Sequence, residues 1–181
     1  YAQGKDPRAL ILVPTRELVV QVTSQVEALA KYTDLRTVSL YGGVGPKTQI
    51  ESISNGVDIL VATPGRLMDI YLSGNVSLKK IEVFVMDEAE RLLDMGFKPQ
   101  IHRILEVVAR KRQNLLFTAT WSNKVKRIAD DFLEAPTEIN IDPEVRTAKT
   151  VSQLVYFVPN IKTKISLLDK VFLDSPDKAI V

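Results

Sequence analysis

Short, largely apolar runs bounded by turn residues recur from residue 9 to residue 117. They occupy residues 9–13, 38–41, 59–62, 83–86 and 115–117. Each run is continuous instead of alternating with polar residues, which is typical of parallel strands that are covered on both faces. The pattern therefore predicts five strands buried within one sheet.

Segments with helical periodicity lie between these runs. Two sets of apolar residues recur at steps of three and four: Leu18, Val22, Val26 and Leu29, and then Ile101, Ile104, Leu105 and Val108. Ser122 is placed to cap a further helix that runs through Phe132, with Pro136 closing it. Strands that alternate with helices predict βαβ units with right-handed crossovers, and hence an α/β fold with a parallel sheet and helices on both faces.

The character of the sequence changes near residue 142. Residues 138–141 are predicted to form a last strand, and residues 142–152 are polar and without periodicity, as expected for a linker. An extended segment (154–158), a helix (about 162–173) and the beginning of a strand (178–181) are predicted after it. We therefore expect a first domain over residues 1–141, a linker over 142–152 and the start of a second α/β domain over 153–181.

Composition limits the partners of the chain. With 24 Lys and Arg against 22 Asp and Glu, the net charge of +2 is too small for a polycation that binds nucleic acid by charge alone. Any contact with nucleic acid must therefore be local.

The chain has no cysteine, which excludes disulfides and thiolate chemistry. It also shows no apolar run near the roughly 18 residues that span a bilayer and no signal-peptide core. We expect an intracellular protein, in the cytoplasm or nucleus, without a membrane partner.

The residues with chemical potential come directly after the strands, where open α/β sheets bind ligands. They are Pro14-Thr15-Arg16, Gly42-Gly43, Thr63-Pro64-Gly65-Arg66, Asp87-Glu88-Ala89-Glu90 and Thr118-Ala119-Thr120. Taken singly, the Pro, Gly and Thr positions are also typical of ordinary turns and caps. Their recurrence after five successive strands favours a functional edge.

Two acids, Asp87 and Glu88, directly follow an apolar strand. Acids at such a position are expected to lose hydration, which is unfavourable unless the carboxylates have a role there. In phosphoryl-transferring ATPases an acid at such a position holds Mg²⁺, directly or through water, and its neighbour can orient the attacking water. Asp87 fits the first role and Glu88 the second. The alternative is a helix N-terminus at which acidic residues are favoured by the helix dipole.

Two predicted helix starts combine backbone N–H groups with a hydroxyl or a guanidinium. Thr15-Arg16 and Gly65-Arg66 both suit a phosphate, and Gly42-Gly43 allows a third segment to approach closely. No aromatic residue interleaves these sites, which favours binding of a sugar-phosphate backbone without base readout. His102 is interpreted as an exposed or capped helix residue. Trp121 could be a stacking platform, but a lone Trp after a strand is more often a packing residue.

In this order, the motifs resemble the DEAD-box family of ATP-dependent RNA helicases, whose core is two RecA-like domains joined by a linker. The first three motifs are similar to the RNA-contacting elements of the family's first domain. Asp87-Glu88-Ala89-Glu90, with the following Arg91-Leu92-Leu93-Asp94, is similar to its ATP-hydrolysis motif. Phe117-Thr118-Ala119-Thr120 is similar to the element that couples hydrolysis to unwinding. The resemblance implies that ATP and Mg²⁺ are the cofactors, that RNA is the partner and that Glu90, Thr118 and Thr120 form the coupling contacts.

The chain departs from the family pattern in two positions and in its extent. Glu90 stands where the family has Asp, and Thr118 where it usually has Ser; charge and hydroxyl are kept. By the resemblance, the phosphate-gripping Gly-x-x-x-x-Gly-Lys-Thr loop would lie before Tyr1 and the second-domain arginines after Val181. We therefore expect a fragment of a monomeric ATP-dependent RNA helicase.

The 181 residues by themselves are expected to be without ATPase activity. The alternative to a helicase is an ATPase-inactive module that binds RNA or docks a partner. A dinucleotide-dependent dehydrogenase is disfavoured, because no Gly-x-Gly-x-x-Gly follows the first strand.

Overall fold

One parallel sheet organises the first part of the molecule. The computed structural model describes residues 6–141 and 154–173. Its strands are β1 (Ala9–Leu12), β2 (Thr37–Leu40), β3 (Ile59–Ala62), β4 (Val83–Met86) and β5 (Gln113–Leu116). They lie in the order β2-β3-β1-β4-β5, and every neighbouring pair is parallel. The predicted α/β fold with a parallel sheet is confirmed, and the strand boundaries differ from the predicted ones by at most two residues.

Helices connect the strands as the periodicity predicts. They are α1 (Arg16–Ala30), α2 (Lys47–Ser54), α3 (Pro64–Leu72), α4 (Ala89–Asp94), α5 (Lys98–Val107) and α6 (Asn123–Phe132). The predicted cap of α6 is present, because Ser122 Oγ accepts a hydrogen bond from the Val125 N–H at 3.3 Å. Helix α2 has no counterpart among the predicted helices, since its eight residues contain only two large apolar side chains. Across the described ranges, no helix is long and apolar enough to pass through a membrane.

The two faces of the sheet are packed by different helices. On the larger face, Leu10 and Phe84 are fully buried, and the Phe84 ring meets that of Phe132 from α6 edge-on with centroids 5.0 Å apart. On the opposite face, Val19 of α1 packs with Val61 of β3 in a smaller cluster. Burial of such side chains stabilises the fold by about 1.5–3 kcal/mol each, so the sheet is a rigid platform for the residues that come after its strands.

The N-terminal edge of the sheet is held together by one buried acid. The side chain of Asp58, before β3, is only 8% exposed and lies 3.4 Å from the Arg36 guanidinium and 3.8 Å from that of Arg8. It also accepts the Arg36 backbone N–H at 3.0 Å. Gly56, with φ +97°, passes so close to Arg36 that an added Cβ would overlap the guanidinium. These contacts join the starts of β1, β2 and β3.

The chain divides into two compact units, residues 1–137 and 138–181. In the second unit, helix α7 (Ile161–Leu173) begins as predicted, with Asn160 Oδ1 accepting the Thr163 N–H at 2.9 Å. The prediction of a last strand over residues 138–141 is wrong: these residues form no strand, and Ile139 and Ile141 are 82% and 87% exposed. Alternating apolar residues form a strand only where a neighbouring strand completes the ladder. Residues 154–158, which were predicted to be an extended segment, belong to no helix or strand.

Two further predictions fall on residues outside the described ranges. They are the linker over residues 142–152 and the beginning of a strand at residues 178–181. The domain boundaries based on them therefore stay predictions.

Candidate functional site

The five motifs lie along one edge of the sheet because all strands run in the same direction. Leu12, the last residue of β1, is in register with Ala62 of β3 and Met86 of β4. The pairing continues past the strands: Val13 N–H donates to Ala62 O at 3.0 Å, and Asp87 N–H donates to Leu12 O at 3.0 Å. The residues that follow β1, β3 and β4 are thereby held side by side at the C-terminal edge of the sheet.

The motifs after β1 and β2 meet through an arginine and an aromatic ring. The Arg16 guanidinium lies over the Tyr41 ring, 5.0 Å from the ring centroid. Tyr41 directly precedes Gly42 and Gly43. A Cβ added to Gly43 would lie 3.9 Å from Arg16 Nη1, and the φ of Gly43 is +80°, a conformation that glycine adopts most readily. The geometry holds the Arg16 guanidinium beside an open stretch of backbone.

The motif after β3 is tied to the same loop. Arg66 Nη2 donates a hydrogen bond to the Val44 carbonyl at 2.7 Å. Among the described residues, the other nitrogen, Arg66 Nη1, is buried without a hydrogen-bond partner. A buried donor of this kind is rare in folded proteins, because buried polar groups are normally hydrogen-bonded. We call Arg16, Gly42, Gly43 and Arg66 the arginine half of the edge.

The remaining residues of these motifs shape the backbone. Thr15 Oγ1 accepts the Leu18 N–H at 3.3 Å and so caps α1, as the simpler interpretation of a threonine at this position predicts. Pro14, Thr63 and Pro64 are buried, and Pro64 and Gly65 open α3. These side chains position the two helix starts, while the guanidiniums extend from them.

The acids after β4 are fixed by the backbone around them. Asp87 Oδ1 accepts the Glu88 N–H at 2.9 Å. Glu88 has φ 50° and ψ 51°, the left-handed conformation, which costs a non-glycine residue about 1 kcal/mol or more. Its carbonyl accepts the N–H groups of Arg91 and Leu92, at 2.9 and 3.1 Å. A strained residue held from several sides at the end of a strand is typical of a functional position.

Glu90 connects the acids to the motif after β5. Thr118 Oγ1 donates to Glu90 Oε2 at 2.6 Å, and the Ala119 N–H donates to Glu90 Oε1 at 3.4 Å. Thr120 takes part through its backbone, since its carbonyl lies 2.9 Å from Thr118 Oγ1. The structure thus brings Glu90 and Thr118 together, and Thr120 joins them by its main chain. We call Asp87, Glu88, Glu90 and Thr118 the acidic half of the edge.

A cavity of about 520 Å³ opens beside the contact between Glu90 and Thr118. It is lined by residues of α4 and of the segment that begins α6, including Asp94 and Lys124, whose charged groups lie 3.2 Å apart. Trp121 is 56% exposed, so its interpretation as a packing residue is wrong. His102 has a half-exposed side chain with Nε2 3.9 Å from Asp131 Oδ2, in agreement with a helix-surface role.

Two contributors to the edge were missed in the sequence. Tyr41 supports Arg16 and directly precedes Gly42, but its position in the apolar run indicates only the last residue of a strand. Arg91 pairs with Glu88, with Nη1 and Oε2 2.5 Å apart. Arg91 follows Glu88 by three residues, a spacing that the sequence contains but that does not by itself predict a contact, because Glu88 precedes helix α4.

Comparisons with known proteins agree with the geometry. Residues 2–128 match the family model described as DEAD/DEAH box helicase. The chain is 39% identical, over 176 residues, to the ATP-dependent RNA helicase DBP2 of Eremothecium gossypii, a match that covers 97% of this chain and 32% of the relative. It is 36% identical to the ATP-dependent RNA helicase dbp2 of Aspergillus clavatus, with 99% and 34% covered. The chain therefore spans about a third of the length of these relatives.

Solved structures show the same likeness. The yeast DEAD-box splicing factor Prp28 is 38% identical with a TM-score of 0.67, over 71% of this chain and 31% of that one. A DEAD box protein from the hyperthermophile Methanococcus jannaschii is 34% identical with a TM-score of 0.68, over 72% and 36%. The fold of this part of the chain is therefore similar to the folds of these two proteins.

Proposed function

The chain belongs to the DEAD/DEAH box helicase family, and on that premise we propose that the protein that contains it is an ATP-dependent RNA helicase. The observation that carries the proposal is the edge itself. An acidic half and an arginine half follow strands that are hydrogen-bonded to one another, with Asp87 N–H bound to Leu12 O just before the start of α1. A change in the nucleotide at one half can therefore be transmitted to RNA at the other over a short, rigid path.

The acidic half is proposed to serve ATP hydrolysis. Mg²⁺ fits here because Asp87 provides a partly buried carboxylate, and proteins commonly bind Mg²⁺ through one or two carboxylates together with substrate phosphates and water. When bound with ATP, the ion would neutralise charge on the phosphates. Asp87 would hold it, most simply through water, and Glu88 would orient the attacking water.

The arginine half is proposed to bind the sugar-phosphate backbone of one RNA strand. Arg16 and Arg66 would each contact phosphate, while Gly42 and Gly43 leave the backbone open to close approach. These groups offer charge and N–H donors without a pattern that distinguishes bases, so binding should depend little on RNA sequence.

Coupling between the halves is proposed to depend on Glu90. Its two carboxylate oxygens engage the Thr118 hydroxyl and the Ala119 N–H, so a shift of helix α4, which begins directly after Glu88 and carries Glu90, would move the loop after β5. In this proposal the additional methylene of Glu90, compared with Asp, still allows the contact with Thr118. The predicted intracellular location and monomeric state are part of the same proposal.

The test is RNA-stimulated ATP hydrolysis by the full-length protein and its Glu88→Gln variant. We expect stimulation by single-stranded RNA in the wild type, and in the variant unchanged ATP affinity with turnover lowered by roughly a hundredfold or more, as for loss of a catalytic base. Glu106→Gln, on the exposed side of α5, is the matched control and should leave turnover unchanged. A wild type without stimulated hydrolysis, measured beside an active helicase, would refute the proposal, as would loss of ATP binding in Glu88→Gln.

A second candidate applies to the 181 residues by themselves. Arg16 and Arg66 are held by groups of the protein itself, the Tyr41 ring and the Val44 carbonyl, which supports an ATPase-inactive module that binds RNA. Its affinity for a single-stranded RNA should then fall with salt, with a log–log slope of about 0.7 for each phosphate contact. A salt-independent interaction would indicate protein docking instead.

A further inference from the structure

We propose that Arg91 is a positioning residue for Glu88, holding one carboxylate oxygen so that the other faces the reacting water. This inference rests on the proposed hydrolytic role of Glu88. Its starting observation is the short contact between Arg91 Nη1 and Glu88 Oε2, 2.5 Å. The contact engages a single oxygen of the carboxylate, which leaves Glu88 Oε1 available for a different partner.

The backbone of Glu88 is fixed before Arg91 acts. Its N–H donates to Asp87 Oδ1, its carbonyl accepts from two N–H groups of α4, and the next N–H, that of Ala89, donates to Phe117 O at 3.1 Å. The left-handed conformation of Glu88 therefore sets the direction of its Cα–Cβ bond. What remains free is rotation along the side chain, and Arg91 restricts that rotation.

Stability does not explain the pair. The two side chains are 51% and 32% exposed, and ion pairs of this exposure contribute little to folding. Glu88 is also the residue that precedes α4, yet its side chain makes no capping hydrogen bond to that helix. The carboxylate is thus directed away from the structural role that its position offers and toward Arg91.

The positions of the two residues suit this function. Arg91 lies in the first turn of α4, three residues after Glu88, and the Glu88 carbonyl accepts the Arg91 N–H at 2.9 Å, so backbone and side chain both link the two residues. Orientation of a catalytic group contributes to the rate of a reaction more than to substrate binding when the group acts in the transition state. Removing Arg91 should consequently lower kcat and leave the KM for ATP unchanged.

The experiment uses the full-length protein with Arg91→Ala, Arg91→Lys, Glu88→Gln and the double variant Glu88→Gln/Arg91→Ala. We expect Arg91→Ala to lower RNA-stimulated kcat about tenfold with the KM for ATP changed by less than about twofold. Arg91→Lys, which keeps a positive charge within reach of the carboxylate, should restore most of the turnover. In the double variant the loss should equal that of Glu88→Gln alone, since Arg91 acts through Glu88.

Two further readouts separate positioning from general damage. The affinity for a fluorescent ATP analogue and the Tm should be the same in Arg91→Ala and the wild type. Arg103→Ala, which removes an exposed arginine from α5, should leave kcat, affinity and Tm unchanged.

Several outcomes would overturn the role of Arg91 while the proposed function stands. The first is a wild-type or higher kcat in Arg91→Ala, and the second is a raised KM for ATP with unchanged kcat in the same variant. The third is a double variant in which the two single losses multiply. In each case Glu88→Gln would still be impaired. A wild type without RNA-stimulated hydrolysis would overturn both.

Discussion

The two ends of the sheet use carboxylates in opposite ways. At the N-terminal edge, Asp58 is almost fully buried and is surrounded by two guanidiniums and a backbone N–H. At the C-terminal edge, Asp87, Glu88 and Glu90 are only partly buried, and Glu88 is in a left-handed conformation. A buried charge has to be fully compensated, whereas a partly exposed one keeps bonding capacity for a ligand. This difference agrees with a first edge that supports the fold and with a second edge proposed to carry the chemistry.

The largest expected effect is at Asp58. Asp58→Ala removes the buried acid that joins three strand starts, together with its contacts to two guanidiniums and a backbone N–H, so we expect the free energy of unfolding to fall by about 3 kcal/mol. Urea denaturation of the 181-residue chain measures this change. Asp130→Ala, at an exposed position on α6, is the control and should change stability by less than about 0.5 kcal/mol. A loss at Asp58 as small as the control's would mean that the N-terminal edge does not depend on this acid.

The next largest effect on the free energy of unfolding is expected at Gly56, and comparison with Gly74 separates backbone strain from steric overlap. Gly56 and Gly74 both have positive φ, +97° and +76°, but of these two only Gly56 lies where an added Cβ would meet another group, the Arg36 guanidinium. Gly74→Ala should cost about 1 kcal/mol through backbone strain alone. Gly56→Ala should cost about 2 kcal/mol, because Arg36 must also leave its place beside Asp58. Equal losses would show that Arg36 moves aside freely.

A smaller effect is expected at the C-terminal edge, between Glu90 and Thr118. In a double-mutant cycle of Glu90→Ala and Thr118→Ala, the 2.6 Å hydrogen bond should appear as a coupling of about 1 kcal/mol in unfolding free energy. A second cycle with Glu106→Ala in place of Glu90→Ala should show no coupling. In the full-length protein, Glu90→Ala should lower the number of duplexes separated per ATP hydrolysed. A variant with the same ratio as the wild type would contradict the coupling role.

The smallest effect on stability is expected at Arg66. Arg66→Ala removes one exposed hydrogen bond, to Val44 O, and should change the free energy of unfolding by less than about 0.5 kcal/mol. The binding of single-stranded RNA should nevertheless weaken, with the salt slope reduced by about 0.7 for the lost phosphate contact. Arg103→Ala, on the exposed surface of α5, supplies the comparison. If both variants kept the wild-type slope, the arginine half would have no phosphate contact at Arg66.

The sheet and its family could be predicted because their signals are local. Continuous apolar runs predicted five parallel strands, and the order of motifs predicted membership of the DEAD-box family; both predictions are confirmed. The strand predicted over residues 138–141 failed since alternation is a local pattern while strand pairing is not. Helix α2 was missed because it contains few apolar residues, so its own sequence shows little helical periodicity. Their burial depends on packing beside β2, which a local pattern does not show.

The contacts within the site needed the folded chain. The sequence by itself determined which residues follow each strand, and therefore which chemical groups can meet at one edge of a parallel sheet. Only the tertiary structure decided that Arg16 rests on Tyr41 and that Arg66 donates a hydrogen bond to the Val44 carbonyl. The physical reason is distance along the chain: strand order and side-chain direction join residues that are far apart in sequence, and local patterns contain no information about that pairing.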